Sequence, residues 1–248
     1  MILAARSFAF LVLFYVSTAL FLVLGSWLLI CPRSWAMAGL KAHGRFSVGL
    51  LRMMCGTRME VRGAEKLPPG PVIVASKHQA AWDTFALVFL MRDPALIMKN
   101  ELMSIPLYGW FSRKFEMIPV KRELGAAAMR QMAKEARKRA ADHREIVIFP
   151  EGTRQIPGAP PAYKPGILLL YEGLNVPVCP VALNSGVCWP RRSLMRYPGT
   201  ITVEFLDPIP SGLPRDEFMQ RLAGAIEPAT DRLVAEARAA LRAKGYAA

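Results

Sequence analysis

Residues 8–30 constrain this chain more than any other stretch, because they carry no charged side chain over a length that could cross a bilayer. As a helix rising about 1.5 Å per residue the run would reach ~34 Å, against a hydrocarbon core of roughly 30 Å. Arg6 precedes it and Pro32 and Arg33 close it. Trp27 stands near its far end, where amphipathic rings favour the membrane–water interface. A signal peptide would have a shorter apolar region, of about 7–15 residues, with small residues before the cleavage site. Here bulky Trp and Leu fill the end, so a retained membrane-associated segment is the expectation. Periodicity does not separate a spanning helix from a re-entrant pair, and both stay open.

The next stretch, 34–56, mixes Trp35, Met37, Leu40, Phe46, Leu50, Leu51, Met53 and Met54 with Lys41, Arg45 and Arg52. This basic amphipathic pattern suits either a helix lying among headgroups or one packed on the rest of the protein. All the charges in residues 1–59 are positive. Arg6 lies before the apolar run, and Arg33, Lys41, Arg45, Arg52 and Arg58 follow it. By the positive-inside bias the bulk of the chain then lies on the cytoplasmic side. In such a reducing compartment Cys31, Cys55, Cys179 and Cys188 are expected as free thiols. None forms a C-x-x-C pair, and no metal site is expected.

From residue 58 onward short apolar runs alternate with amphipathic ones. The expected organisation is an N-terminal membrane-anchoring helical region over 1–57 and an α/β domain over 58–248. Strands are predicted at 58–62, 72–76, 95–98, 117–120, 146–150, 178–183 and 200–206. Helices are predicted at 82–91, 106–114, 124–142, 165–173 and 215–244, the last broken near Pro228. The alternation implies an α/β fold with a central, largely parallel sheet flanked by helices. The 124–142 helix, with Arg130, Lys134, Arg137, Lys138 and Arg139, is strongly basic. It reads either as a solvated face or as a surface for membrane or an acidic carrier protein. The 32 Lys and Arg against 19 Asp and Glu leave a net charge of +13, which favours a polyanionic partner. Aromatic-interleaved RNA-binding motifs are missing, so nucleic acid is not expected.

Of three histidines, His43 lies in the basic stretch and His143 ends a charged helix; both read as surface residues. His78 instead follows the apolar strand VIVAS, and strand C-termini in open α/β sheets are where substrate crevices form. Asp83 follows at the start of a helix. A carboxylate there can fix the imidazole tautomer and leave the other nitrogen free as a base. A second feature, Phe149-Pro150-Glu151-Gly152-Thr153-Arg154, also leaves an apolar strand. It brings together backbone N–H groups, a hydroxyl and a guanidinium suited to phosphate. No G-x-S-x-G is present, so a hydrolase nucleophile elbow is excluded.

With His78-x4-Asp83 followed by Phe149-Pro-Glu-Gly-Thr-Arg154, the chain resembles the glycerolipid acyltransferase family, most closely bacterial 1-acylglycerol-3-phosphate acyltransferases. Met117 to Arg122, Tyr163-Lys164-Pro165-Gly166 and Val176 to Val181 resemble weaker blocks of the same family. Lys77, Ala80 and Lys121 depart from its common residues. The resemblance implies transfer of a fatty acyl group from acyl-CoA or acyl carrier protein to the sn-2 hydroxyl of lysophosphatidic acid, at a bacterial inner (cytoplasmic) membrane. No cofactor beyond the acyl donor is implied. His78 would be the base and Asp83 its orienter. Arg122 and Arg154 would hold the phosphate, with Lys164 and Lys121 as lesser candidates. Glu151 and Gly152 would shape the turn, and the Thr153 hydroxyl would cap the turn or assist with the phosphate. The sequence leaves the oxyanion donors unassigned, with backbone N–H groups near the 79–82 helix start as candidates. The departures keep another lysolipid acceptor open, such as a lyso-ornithine lipid. A non-catalytic basic membrane-binding protein would leave these motifs without a purpose.

Overall fold

A computed structural model describes residues 1–121 and 125–246. Its centre is a seven-stranded sheet built from β1 (Arg58–Arg62), β2 (Val72–Ser76), β3 (Pro94–Lys99), β4 (Ile118–Val120), β5 (Glu145–Ile148), β6 (Val178–Leu183) and β7 (Thr200–Phe205). The strand order is β1-β7-β6-β2-β5-β3-β4. Neighbours run parallel except β6 and β7, so β1 and β7 point against the other five. β2 lies in the middle, and all five of its residues are buried. Its unbroken apolar run is what a parallel strand covered on both faces requires. Alternate side chains divide between two cores. Val72 and Val74 join the one that includes Leu51, Leu87 and Trp82, while Ile73 and Ala75 join the one that includes Ile167 and Phe218.

The first face is covered by α2 (Arg33–Cys55), α3 (Trp82–Leu90) and α4 (Tyr108–Lys114). α2 crosses α3 at Gly44, where a Cβ would stand 2.9 Å from the Phe85 carbonyl oxygen; only a bare backbone allows that approach. Burial of Ala36, Met37, Leu50 and Leu51 makes α2 a packed helix. The opposite face is covered by α5 (Gly125–Ala141), α6 (Gly166–Leu174) and α8 (Arg215–Ala243); a short α7 (Ser185–Cys188) follows β6.

The apolar run does not form one helix. α1 spans Ile2–Leu24, and the chain then turns through a 3-10 segment, Ser26–Leu29, into α2. α1 and α2 are antiparallel neighbours: the Cys55 thiol reaches the Arg6 carbonyl, and Thr18 and Phe21 meet His43. His43 is therefore lodged between helices, contrary to the surface position expected of it, whereas His143 is exposed. The N-terminal half of α1 packs onto the α/β part. Phe10 meets Trp189 edge-on at 5.4 Å, Phe14 meets Phe85 at 5.6 Å, and the Arg196 N–H donates to the Ser7 hydroxyl at 2.9 Å. The outer face of α1, including Phe8, Val12, Val16 and Leu20, stays exposed. Among the described residues α1 is the helix long and apolar enough to cross a membrane.

The break expected near Pro228 does not occur: α8 runs through it. The missing proline N–H removes one ladder bond. Burial of Phe218, Leu222 and Ile226 before it and of Leu233, Val234 and Leu241 after it holds both halves to the sheet.

Candidate active site

β2, β5 and β6 are parallel and paired in register, Ala75 beside Ile148 and Ser76 beside Val181, so their C-terminal ends lie together. The chain leaves β2 at Lys77-His78 and β5 at Phe149-Pro150. The two motifs are thus neighbours because their strands are.

The Asp83 carboxylate is buried in the first turn of α3 and reaches back over the preceding loop. Its Oδ2 accepts the backbone N–H groups of Gln79 and Ala80 at 2.8 and 2.9 Å and meets His78 Nδ1 at 2.9 Å. A side chain satisfying orphan N–H groups at a helix start is the logic of a capping box. An acceptor on Nδ1 places the imidazole hydrogen there and leaves Nε2 with its lone pair. The ring lies over Phe149, with centroids 4.0 Å apart and planes 22° from parallel, which fixes its tilt.

The second motif forms a tight turn. The Gly152 N–H donates to the Phe149 carbonyl at 2.8 Å, and Gly152 has φ +67°, a left-handed conformation that favours glycine. Two backbone bonds seat the turn: Gln155 N–H to the His78 carbonyl and Lys164 N–H to the Pro150 carbonyl, both 2.8 Å. Thr153, Arg154 and Lys164 face outward. The Arg154 guanidinium makes no ion pair among the described residues, while its carbonyl accepts from Arg191 at 2.6 Å.

Glu151 points the other way. It is 1% exposed and pairs with the Lys77 ammonium at 2.8 Å, so it shapes the turn from within and is not available to an acceptor. Burial pushes its carboxyl above the ordinary value, and the Lys77 ammonium offsets only part of that. Arg122 lies outside the described residues. The strand before it, β4, ends on the same sheet edge, three strand spacings or about 14 Å from β2. Lys121 is exposed there. The structure narrows the N–H groups at 79–82 that could face an oxyanion. Those of Gln79 and Ala80 are taken by Asp83, leaving Ala81 and Trp82 from that stretch.

Sequence reasoning gave no role to Phe149, Arg191, Tyr163 or Glu227. Phe149 lies inside a quoted motif, and its stacking partner could have been suspected from the strand pairing. Glu227, which binds Lys77, stands far along the chain on α8, with no local pattern to announce it.

Comparison with known proteins fits this geometry. The profile of the family described as Acyltransferase matches residues 58–184. A 1-acyl-sn-glycerol-3-phosphate acyltransferase of Pseudomonas aeruginosa is 36% identical over 159 residues, covering 64% of this chain and 62% of that protein. The alpha form of the same enzyme from Mus musculus is 29% identical over 174 residues, 67% of this chain and 60% of that one. The chain thus spans about three-fifths of the length of these curated relatives. The crystal structure of PlsC, a 1-acyl-sn-glycerophosphate acyltransferase from Thermotoga maritima, shares the fold with a TM-score of 0.74 at 20% identity, over 94% of this chain and 97% of that one. With the profile match running from β1 to the end of β6 and enclosing both motifs, the chain belongs to the acyltransferase family.

Proposed function

We propose that the protein transfers a fatty acyl group from a thioester, acyl-CoA or acyl carrier protein, to the sn-2 hydroxyl of lysophosphatidic acid, yielding phosphatidic acid for phospholipid synthesis. One observation carries the reading: a buried carboxylate aims the His78 imidazole, and the His78 backbone carbonyl accepts the N–H of Gln155, the residue after Arg154. Base and phosphate-binding cation are thereby tied into one site.

An alcohol is a poor nucleophile at neutral pH. His78 Nε2 takes its proton as the oxygen attacks the thioester carbonyl, an effect worth about 10²–10⁴-fold. Asp83 stabilises the imidazolium that forms. The tetrahedral oxyanion collapses, the C–S bond breaks, and the proton on Nε2 goes to the departing thiolate. The N–H groups of Ala81 and Trp82 are the candidates for the oxyanion. Arg154 would take the acceptor phosphate, aided by Thr153 and Lys164, and by Arg122 on the strength of the family resemblance.

Membrane apposition suits both lipid substrates. The N-terminal end of α1 meets the segment carrying Arg196, and Arg191 of that segment grips the Arg154 carbonyl. The exposed apolar face of α1 therefore ends beside the catalytic edge. We place the protein on the cytoplasmic leaflet of the bacterial inner membrane. Lys77 and Ala80, two of the residues that kept another acceptor open, are buried, so they favour none.

The test is a product assay with purified protein in vesicles, using labelled acyl-CoA and acyl carrier protein against lysophosphatidate, lyso-ornithine lipid and other lysolipids. Phosphatidate should be the dominant product. Dominant acylation of a phosphate-free lysolipid would refute the acceptor assignment.

A further inference from the structure

Base and phosphate cation sit on separate loops, one after β2 and one after β5. The lysolipid must meet both at once, its hydroxyl on His78 and its phosphate on Arg154. The spacing of the loops is then a catalytic quantity, since a misplacement of about 1 Å can lower a rate about 100-fold.

A buried charge cluster sits where that spacing is set. Lys77, adjacent to His78, is 3% exposed and donates to Glu151 Oε1 at 2.8 Å and to both Glu227 oxygens at 3.0 and 2.8 Å. An ammonium has three hydrogens, and three acceptor atoms meet them. Glu151 starts the turn that ends in Arg154. Glu227 comes from the middle of α8, and the Tyr163 hydroxyl, from the loop after the turn, donates to Glu227 Oε1. One ammonium thus joins both catalytic loops to a helix rooted in the core beneath them. Lys77 and Glu151 are closed off from solvent, and Glu227 is 19% exposed.

We infer that Lys77, Glu227 and Tyr163 are positioning residues for acyl transfer, holding the His78 loop and the Arg154 turn at the separation the acceptor requires. The inference rests on the activity proposed above. It makes a distinction that a merely structural role would not. The acceptor bridges the two loops and the thioester does not, so loosening the cluster impairs use of the lysolipid while leaving the affinity for acyl-CoA alone.

The experiment compares the wild-type chain, Glu227→Gln, Lys77→Met and the double variant in the same vesicles. It measures kcat and KM for lysophosphatidate and for acyl-CoA, with thermal unfolding alongside. Glu227→Gln keeps shape and an acceptor for Tyr163, and its partial exposure favours folding. It should lower kcat/KM for the acceptor about tenfold with the KM for acyl-CoA unchanged. Lys77→Met should lower it further, about 100-fold, and the double variant no further than Lys77→Met alone. Overturning results are a Glu227→Gln acceptor kcat/KM within about twofold of wild type, or acceptor and donor KM rising together as folded protein is lost. A second arm needs no substrate: the rate at which diethylpyrocarbonate carbethoxylates His78, followed by peptide mass. It should rise in Glu227→Gln. If wild type turns over no lysophosphatidate, the activity reading fails, and this arm decides the positioning role, an unchanged rate refuting it.

Discussion

The two ends of the sheet use the same residue types to opposite effect. At the N-terminal edge Arg144 is fully buried before β5. It bonds the Pro94 and Phe115 carbonyls at 2.9 Å and pairs with Asp93 at 3.3 Å and Glu116 at 3.1 Å. Arg33 closes on Asp93 through two bonds of 2.7 and 2.6 Å, and Glu145 accepts the N–H groups of Arg92 and Asp93. Each of these charges faces a partner within the protein. At the C-terminal edge Asp83 Oδ1 and Glu151 Oε2 are buried without one, and Arg154 is turned to the outside. An unsatisfied buried polar atom costs about 1–3 kcal/mol. The closed edge ties α2 and three strands together, whereas the open edge leaves the Arg154 guanidinium turned to solvent.

Substitutions can break this contrast. The largest expected effect is on the open edge: His78→Ala should lower transfer toward the upper end of about 10²–10⁴-fold without altering unfolding or vesicle binding. Asp83→Asn keeps an oxygen facing the Gln79 and Ala80 N–H groups but removes the negative charge that stabilises the imidazolium, so kcat should fall about 100-fold or more. On the closed edge the effect moves to stability. Arg144→Met takes the buried donor from the Pro94 and Phe115 carbonyls and one cation from Asp93 and Glu116, and should cost about 3 kcal/mol in denaturant unfolding, with the turnover of folded molecules unchanged. Lost turnover with intact stability would erase the contrast. Arg154→Ala should raise the KM for lysophosphatidate about tenfold and spare a phosphate-free acceptor such as monoacylglycerol, as expected for a charged hydrogen bond of about 1.5–3 kcal/mol. Equal slowing of both acceptors would remove its phosphate role.

The smallest effect concerns acid. Burial pushes the Asp93 carboxyl up, but Arg33 and Arg144 outweigh it and hold it below the ordinary value. A depressed carboxyl contributes stability above the unfolded pKa of about 4, which is lost as pH falls through the folded value. Arg33→Gln should therefore be destabilising at neutral pH, and its gap from wild type should shrink below about pH 4. A gap constant with pH would contradict the pairing.

The regions also differ in how legible they were. Most strands were readable to within a residue or two, because buried parallel strands are bare apolar runs bounded by turn residues. His78 and Asp83 were readable because their contact is local to one loop. Lys77 registered only as an unusual residue, since its partner Glu227 is brought to it by the packing of α8. Pro228 misled for the same reason: local propensity argued for a break, and burial on both sides overrode it. The apolar N-terminus suggested a segment apart, yet Phe10 and Trp189 meet in the core. Pairings across such separations leave no periodicity to read.

The claim at the centre is that Asp83 fixes the hydrogen of His78 on Nδ1 and leaves Nε2 bare to act as base. Nitrogen NMR of the imidazoles in detergent tests it directly, with only three histidines to assign. At about pH 8 the account predicts a hydrogen on Nδ1 and a bare Nε2 for His78, a preference lost in Asp83→Ala, which removes the acceptor. A hydrogen on Nε2 in the wild-type protein would contradict it.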